Sequence, residues 1–455
     1  MSATALLDAP ATGAATWPSA HLLGHLPRAQ QDVLGLFLEA RREHGDAVWM
    51  RMAFLNTLHL NRVEHLQHVF LRHEDRYAKS SRGYQILRTM LGQGLLTAEG
   101  EHWKRQRRIA QPAFRKGIVD GFARTMVRRA AELATEWDSA LDREIDVAED
   151  MSRLTLRIAC DTLFSHDIAP VEAVVSEGLD AIIDAFDRMV TSALPMPWKW
   201  PTPANLEGRR ALARLDAVVN EIIAERRASS EPREDLLQML MDARYEDTGE
   251  GMDDAQLRDE VLTMLLAGHE TTANTLSFAL YLLSQRPLVA DRLAEHIDGV
   301  LGDRDPEGAD FRALDQVGYV INEALRLYPP AWTNARRAVV DDEIEGIAVP
   351  AGTMVFISPW VMHRHPDYWR DPDVFDPDRW RPERAGSRPR LAFHPFSVGQ
   401  RKCIGEHFAL LEARLVLAVL ARRFQLHLRP GHQLELDASV TLRVGNGLPM
   451  RITRR

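Results

Sequence analysis

Apolar residues recur at helical spacing through most of the first 327 positions, and strand-like alternation is confined to short stretches near the two ends. Over 31–44 the residues Val33, Leu34, Phe37 and Leu38 share a helical face, and Gly45 supplies a C-terminal stop. Two short strands are predicted at 47–52 and 57–60. Helical patterns then dominate, broken by loops at 80–82, 194–205 and 244–251. The longest uninterrupted one covers 253–285, roughly 50 Å at about 1.5 Å per residue. After Pro329 and Pro330 the character changes. The stretches 344–349 and 353–357 flank Pro350-Ala351-Gly352 and predict a hairpin. Alternation returns at Phe424, Leu426 and Leu428, with turns at Pro430-Gly431 and 445–447. These patterns predict a mainly α fold with small β-sheets (α+β), the β part drawn from both ends of the chain.

Composition narrows the picture. The 455 residues are 45% hydrophobic and 27% charged, ample for a large core. No repeat and no linker-like run divides them, so one domain over 1–455 is expected, with a short irregular segment over about 1–20. A net charge of −9 speaks against a nucleic-acid partner. The two cysteines, Cys160 and Cys403, are too few for a disulfide framework or a four-cysteine zinc site, which fits a reducing, cytoplasmic setting. There is no run of about 18 apolar residues, so neither a secretory signal nor an integral membrane anchor is expected.

The most specific chemistry lies in Phe396-Ser-Val-Gly399-Gln-Arg401-Lys-Cys403-Ile-Gly405, which leads into a helix near Glu406. A cysteine binds iron as a thiolate, whose charge needs compensation. A position just before a helix N-terminus offers backbone N–H donors and the positive end of the helix dipole. Glycines let the backbone turn tightly and approach a flat macrocycle, and Arg401 can reach a carboxylate at a cofactor edge. A lone buried cysteine is usually structural, but five specified positions in ten recur by chance about once in several million starts, at roughly one in twenty per residue type.

The stretch resembles the haem-binding loop of the cytochrome P-450 family, Phe-x-x-Gly-x-Arg-x-Cys-x-Gly, and lies about fifty residues before the C-terminus, where that family carries it. The resemblance implies Cys403 as the metal ligand and Phe396, Gly399, Arg401 and Gly405 as cofactor-binding residues. It also implies a cofactor of haem b, set between the long helix and the Cys403 loop.

On the long helix, Ala267-Gly268-His269-Glu270-Thr271-Thr272 places small residues beside an acid and an alcohol. Ala267 and Gly268 leave room for cofactor and dioxygen, and an acid next to an alcohol can relay protons. Read alone, the acid and threonines could equally solvate one helix face. A zinc-protease reading of His269–Glu270 fails because position 273 is alanine. The family's pattern maps the catalytic acid to Glu270 and the alcohol to Thr271.

Glu323 and Arg326 stand at i and i+3, in isolation the spacing of a surface ion pair. The family completes such a pair with an arginine from Phe-x-Pro-x-Arg, here Phe375-Asp-Pro377-Asp-Arg379, so Glu323, Arg326 and Arg379 are expected to buttress the loop carrying Cys403. Trp103 and Arg107 match a Trp-x-x-x-Arg pattern and are expected at the haem propionates. Arg336 is favoured over Arg337 as a further contact, and His102 lies near enough in sequence to Trp103 to join them. His363 is expected to be structural rather than an iron ligand. Substrate contacts are implied from 84–96, Met264, Ala267 and Ala331–Trp332, with the loop from Leu194 to Pro201 near the access channel.

The chain thus resembles a haem-thiolate monooxygenase that uses dioxygen to hydroxylate or epoxidise a hydrophobic small molecule of the fatty acid, terpenoid or steroid class. No electron-transfer module fits after Cys403, so electrons are expected from a separate ferredoxin or flavodoxin with its reductase. The basic run Lys104, Arg105, Arg107, Arg108, Arg115, Lys116 is a candidate docking face. A peroxide-using enzyme or isomerase, and a non-catalytic haem sensor, are the competing readings.

Overall fold

The computed structural model describes residues 13–192, 197–229, 231, 233, 235–245, 249–386 and 388–455. Its axis is the helix Asp254–Ser284, 31 residues long. The Asp253 side chain accepts from the Gln256 N–H at 2.8 Å and starts it. At the far end Pro287 opens the following helix, Pro287–Leu301. The long helix is buried on nearly every side, as its unbroken apolar run requires. Helices Val147–Leu163, Pro203–Ala228, Asp315–Leu327 and Glu406–Arg423 pack around it in the principal core.

A six-stranded sheet carries strands β1 (Ala15–Thr16), β2 (Ala47–Met52), β3 (Leu55–Leu60), β4 (Tyr77–Ala78), β6 (Asn334–Ala338) and β9 (Met354–Ile357) in the order β1-β2-β3-β9-β6-β4. Strand β5 (Glu144–Asp146) joins β10 (Phe424–Leu428) and β13 (Pro449–Arg454) in the order β10-β13-β5. Two-stranded sheets pair β7 (Asp342–Ile344) with β8 (Ile347–Val349), and β11 (Leu436–Ala438) with β12 (Leu442–Val444). The mainly α architecture with sheets drawn from both chain ends agrees with the periodicity.

Several expectations need correction. The stretches 344–349 and 353–357 do not form a hairpin together. β8 turns back on β7 through Glu345 (φ 49°) and Gly346 (φ 80°), while β9 pairs antiparallel with β6 and parallel with β3. Two successive positive φ values suit a tight two-residue hairpin turn, and these took precedence over the Pro-Ala-Gly signal. The first helix spans Leu26–His44, not 31–44; its backbone breaks at Asp32, whose carboxylate caps the Gly35 N–H at 2.7 Å, so the amphipathic part starts near the expected place. β1 lies inside the stretch expected to be irregular, paired parallel with β2. β4 and β5 lie in a region where helical patterns broken by loops were expected; strands of two or three residues are too short for an alternation signal. The helix Pro203–Ala228 begins within the loop expected over 194–205, started by the Thr202 hydroxyl on the Asn205 N–H. Residues Leu194, Pro195 and Met196 of that loop lie outside the described residues.

Candidate active site

The Cys403 loop is folded by its own backbone. The Cys403 N–H donates to the Phe396 carbonyl at 2.9 Å, and the Lys402 N–H to the Gly399 carbonyl at 3.1 Å. Gly399 sits at φ 76°, and a Cβ there would fall 2.2 Å from the Phe70 carbonyl oxygen. The glycine is therefore fixed by the helical turn His68–Arg72 packed against it, rather than by room for a cofactor. Gly405 ends the loop just before Glu406–Arg423; a Cβ on it would lie 4.0 Å from the Cys403 sulfur. Burial pushes the Cys403 thiol up, while the Gly405 N–H, Arg107 and Lys402 pull it back. The helix terminus alone does not secure a thiolate; a bound cation at the sulfur would supply the larger compensation. Both cysteines are free.

Cys403 is crowded by protein on its loop side, yet its side chain is accessible. The two observations agree if the sulfur lines an internal chamber. The long helix shows the same signature. Between Glu260 and Leu280 every residue is buried except Ala267, Gly268 and Thr271, which share one face. A Cβ on Gly268 would meet only a Leu163 methyl, at 3.7 Å. The Thr271 hydroxyl donates to the Ala267 carbonyl at 2.8 Å. Glu270 points elsewhere: it is 7% exposed, and its Oε1 accepts from the Thr441 hydroxyl at 2.6 Å. Burial pushes its carboxyl up to about 7.

A cluster of cations gathers at the chamber's edge. Arg401 lies 3.8 Å over the Trp103 ring and donates to the Ala98 carbonyl at 2.9 Å and to Glu99 at 3.1 Å. Arg336 is buried against the Phe70 ring, while Arg337 is exposed. Arg107 feels the Cys403 charge. Lys79, absent from the sequence-based expectations, is half-buried and donates to the Leu96 carbonyl at 2.8 Å over the Tyr84 ring. Burial and the guanidiniums of Arg336 and Arg401 hold its ammonium well below the ordinary lysine range. The buried His102 Nε2 has no hydrogen-bond partner among the described residues. Lys79, Arg336 and Arg401 act on one another, with Glu99 and Glu74 the carboxylates that act on Arg401, and Arg107 lies by the sulfur; this excess of cations, with an orphaned imidazole nitrogen next to Trp103, suits a group that brings two carboxylates of its own. A soft sulfur and small residues along one helix face complete a donor set that fits haem.

The buttress is buried and fully engaged. The Glu323 carboxylate accepts two bonds from Arg326 at 2.8 and 2.9 Å, one from Arg379 at 2.9 Å, one from the Trp380 indole at 2.9 Å and one from the Asp376 N–H at 3.1 Å. The remaining guanidinium donors reach carbonyls of His363, Arg370, Asp371, Pro372 and Val374. His363 itself accepts the His394 N–H at 3.0 Å, tying this segment to the chain that enters the Cys403 loop.

Other expected residues fall elsewhere. Met264 is buried in the principal core, and Trp332 packs against Phe37 with its indole donating to the Ser439 carbonyl at 3.2 Å, so Trp332 is a core residue. The basic run is partly discharged by acids just outside it. Lys104 pairs with Glu101 at 2.7 Å, Lys116 pairs with Asp120, Arg105 lies over the Tyr245 ring and Arg107 turns inward. Arg108 and Arg115 are exposed. Among the described residues no helix is long and apolar enough to cross a membrane.

Comparison with known proteins agrees with this geometry. A family model described as Cytochrome P450 matches residues 15–444. A cyclooctat-9-en-7-ol 5-monooxygenase of Streptomyces melanosporofaciens is 36% identical over 419 residues, covering 91% of this chain and 90% of that protein. A pentalenene oxygenase of Streptomyces avermitilis is 33% identical over 421 residues, 92% of each chain. A human protein named cytochrome P450 4V2 is 30% identical over 399 residues, 82% of this chain and 76% of that one.

Proposed function

The chain belongs to the cytochrome P450 family and is a P450 monooxygenase that works with haem iron, dioxygen and a redox partner; from that premise we propose that it oxidises an apolar, alkene-bearing small molecule of the terpenoid kind. The names of two relatives specify cyclooctat-9-en-7-ol and pentalenene as what those proteins act on. The observation that carries the reading is the opening of an otherwise buried helix at Ala267, Gly268 and Thr271, an apolar face with one hydroxyl.

Haem b, held through Cys403, supplies activation of dioxygen and insertion of one oxygen atom into a C–H or C=C bond. The protein's residues do the rest. Lys79, Arg107, Arg336 and Arg401 hold the cofactor's carboxylates, with Trp103 carrying Arg401. Glu323, Arg326 and Arg379 fix the segment leading to the sulfur loop. Near neutrality Glu270 is protonated in a sizeable fraction of molecules, so it can give a proton and regain one. Thr271 places its hydroxyl on the accessible face where that proton is needed. The whole chain acts as one cytoplasmic domain, and the exposed Arg108 and Arg115 receive an acidic ferredoxin or flavodoxin.

The test begins with the reduced carbon-monoxide spectrum, which is of the thiolate type if Cys403 is the ligand; a histidine-type spectrum or failure to take up haem refutes the assignment. Turnover of cyclic terpenes with a ferredoxin system then gives oxygenated product, while turnover only with peroxide, or none, refutes the redox reading. Thr271→Ala is expected to release peroxide at the expense of product, and tight coupling in that variant refutes the role of Thr271.

A further inference from the structure

Protons used on the long helix must cross the protein, and the geometry around Glu270 points to where. We propose that Thr441, in the turn between β11 and β12, is a positioning residue that aims the Glu270 carboxyl at an acid-lined entrance between the helix Glu172–Thr191 and the β11–β12 hairpin. The inference rests on the reading of Glu270 as a proton carrier and adds the route by which it is recharged.

The contact is direct and spans 171 residues of sequence: the Thr441 hydroxyl donates to Glu270 Oε1 at 2.6 Å. The same hydroxyl oxygen accepts from the Asn274 amide, one turn further along the long helix, at 3.3 Å. Thr441 is 8% exposed, and Glu270 Oε2 is buried with no hydrogen-bond partner among the described residues. One carboxyl oxygen is therefore pinned and the other left open, the arrangement of a group that exchanges a proton rather than one locked in an ion pair. On the same helix His269 turns to another neighbour, with Nε2 3.4 Å from the Ser152 hydroxyl.

Beyond Glu270 the charges are biased towards acid. The groups that act on it electrostatically are Arg443 on β12, Asp437 on β11 and Asp180 on Glu172–Thr191. Arg443 is bound to Asp437 at 2.7 Å and lies 3.8 Å from Asp184. Asp180, Asp184 and Asp187 follow helical spacing along one face. Four carboxylates, Asp180, Asp184, Asp187 and Asp437, therefore face two guanidiniums, Arg443 and the Arg188 beside Asp187. Desolvation, with a lesser push from neighbouring carboxylates, raises the carboxyls of Asp180 and Asp187, and the excess negative potential concentrates protons at this entrance. The step itself is proton transfer alone. The O–H bond of Glu270 breaks as its proton leaves towards Thr271, and the carboxylate takes a proton back from water at the acidic entrance, with no electrons moved.

The experiment compares Thr441→Val, Thr441→Ser and Glu270→Gln in the haem-loaded protein. Difference infrared titration follows the Glu270 carboxyl band, identified by its loss in Glu270→Gln; in parallel, the pH profile and solvent isotope effect on coupled turnover are measured. Valine keeps the shape but removes the donor to the ionised carboxyl, so the Glu270 midpoint is expected to rise by about one pH unit, roughly a tenfold change in the ionised fraction. The solvent isotope effect is expected to grow, and serine to restore both. If Glu270→Gln leaves the pH profile and isotope effect unchanged, the proton-carrier reading falls and this inference with it. If Glu270→Gln alters them while Thr441→Val titrates and turns over like the parent, the reading stands and the role of Thr441 is refuted.

Discussion

Glu260 offers a quantitative test of how the long helix is tied to its neighbours. It is 1% exposed, and its two carboxyl oxygens accept from the Leu95 N–H and the Gln256 amide, each at 3.0 Å. Burial pushes its carboxyl from the ordinary 4.5 up to about 7. Because the folded pKa is the higher one, the unfolded chain releases its proton first as pH rises, and stability falls through this window. The pKa difference corresponds to a cost on the order of 3 kcal/mol at about pH 8 but only about 1 kcal/mol at about pH 5. Glu260→Gln removes that titration and forfeits one acceptor, worth about 1 kcal/mol at either pH. The variant is therefore expected to match the parent at about pH 5 and exceed it by about 2 kcal/mol at about pH 8. Urea unfolding of the haem-loaded protein, followed by circular dichroism at both pH values, measures this. Glu270 and Glu412 are also buried with raised carboxyls, but they titrate in both proteins and cancel in the difference. Parallel pH dependence in parent and variant would refute the assignment of the carboxyl's energetics to burial.

Lys79→Met is expected to lose haem to a scavenger protein roughly tenfold faster, the equivalent of one charge-assisted hydrogen bond. Since its folded pKa is depressed, the haem-free parent gains stability as pH rises towards 10.5; urea midpoints that rise equally in the methionine variant would remove Lys79 from the cluster. Reversing Arg108 and Arg115 to glutamate is expected to slow reduction by an acidic ferredoxin at low salt, with the difference fading as salt screens it; stopped-flow rates equal to the parent's at low salt would refute docking at this face.

Sequence patterns located the long helix to within a residue at each end because its apolar run is long and bounded by an N-cap and a proline. The sulfur loop was legible because fixed spacing in a short stretch carries its chemistry. What escaped had no local signal. The partner of β8 was decided by the backbone at Glu345 and Gly346, not by the more conspicuous Pro-Ala-Gly. Lys79 and Glu99 reach the site from β4's end and from the start of Gly100–Ala110 through tertiary packing; the one hint was that lysine is rare here, five of 56 basic residues. Thr441 stands in an unremarkable hairpin turn, and only folding brings it to Glu270. Trp332, which the resemblance implied as a substrate contact, donates its indole N–H to the Ser439 carbonyl in the core, a partner 107 residues away that no local pattern announces.

Between His363 and Trp380 the chain has almost no regular structure, yet two guanidiniums bridge five of its carbonyls to one carboxylate. Side chains here perform the cross-linking that a ladder of main-chain bonds performs in a sheet, so disorder of outline does not mean softness. Such a tie has its length built in. Adding a single residue would put a different carbonyl before each guanidinium, and the His363–His394 link would carry that misregistration to the sulfur.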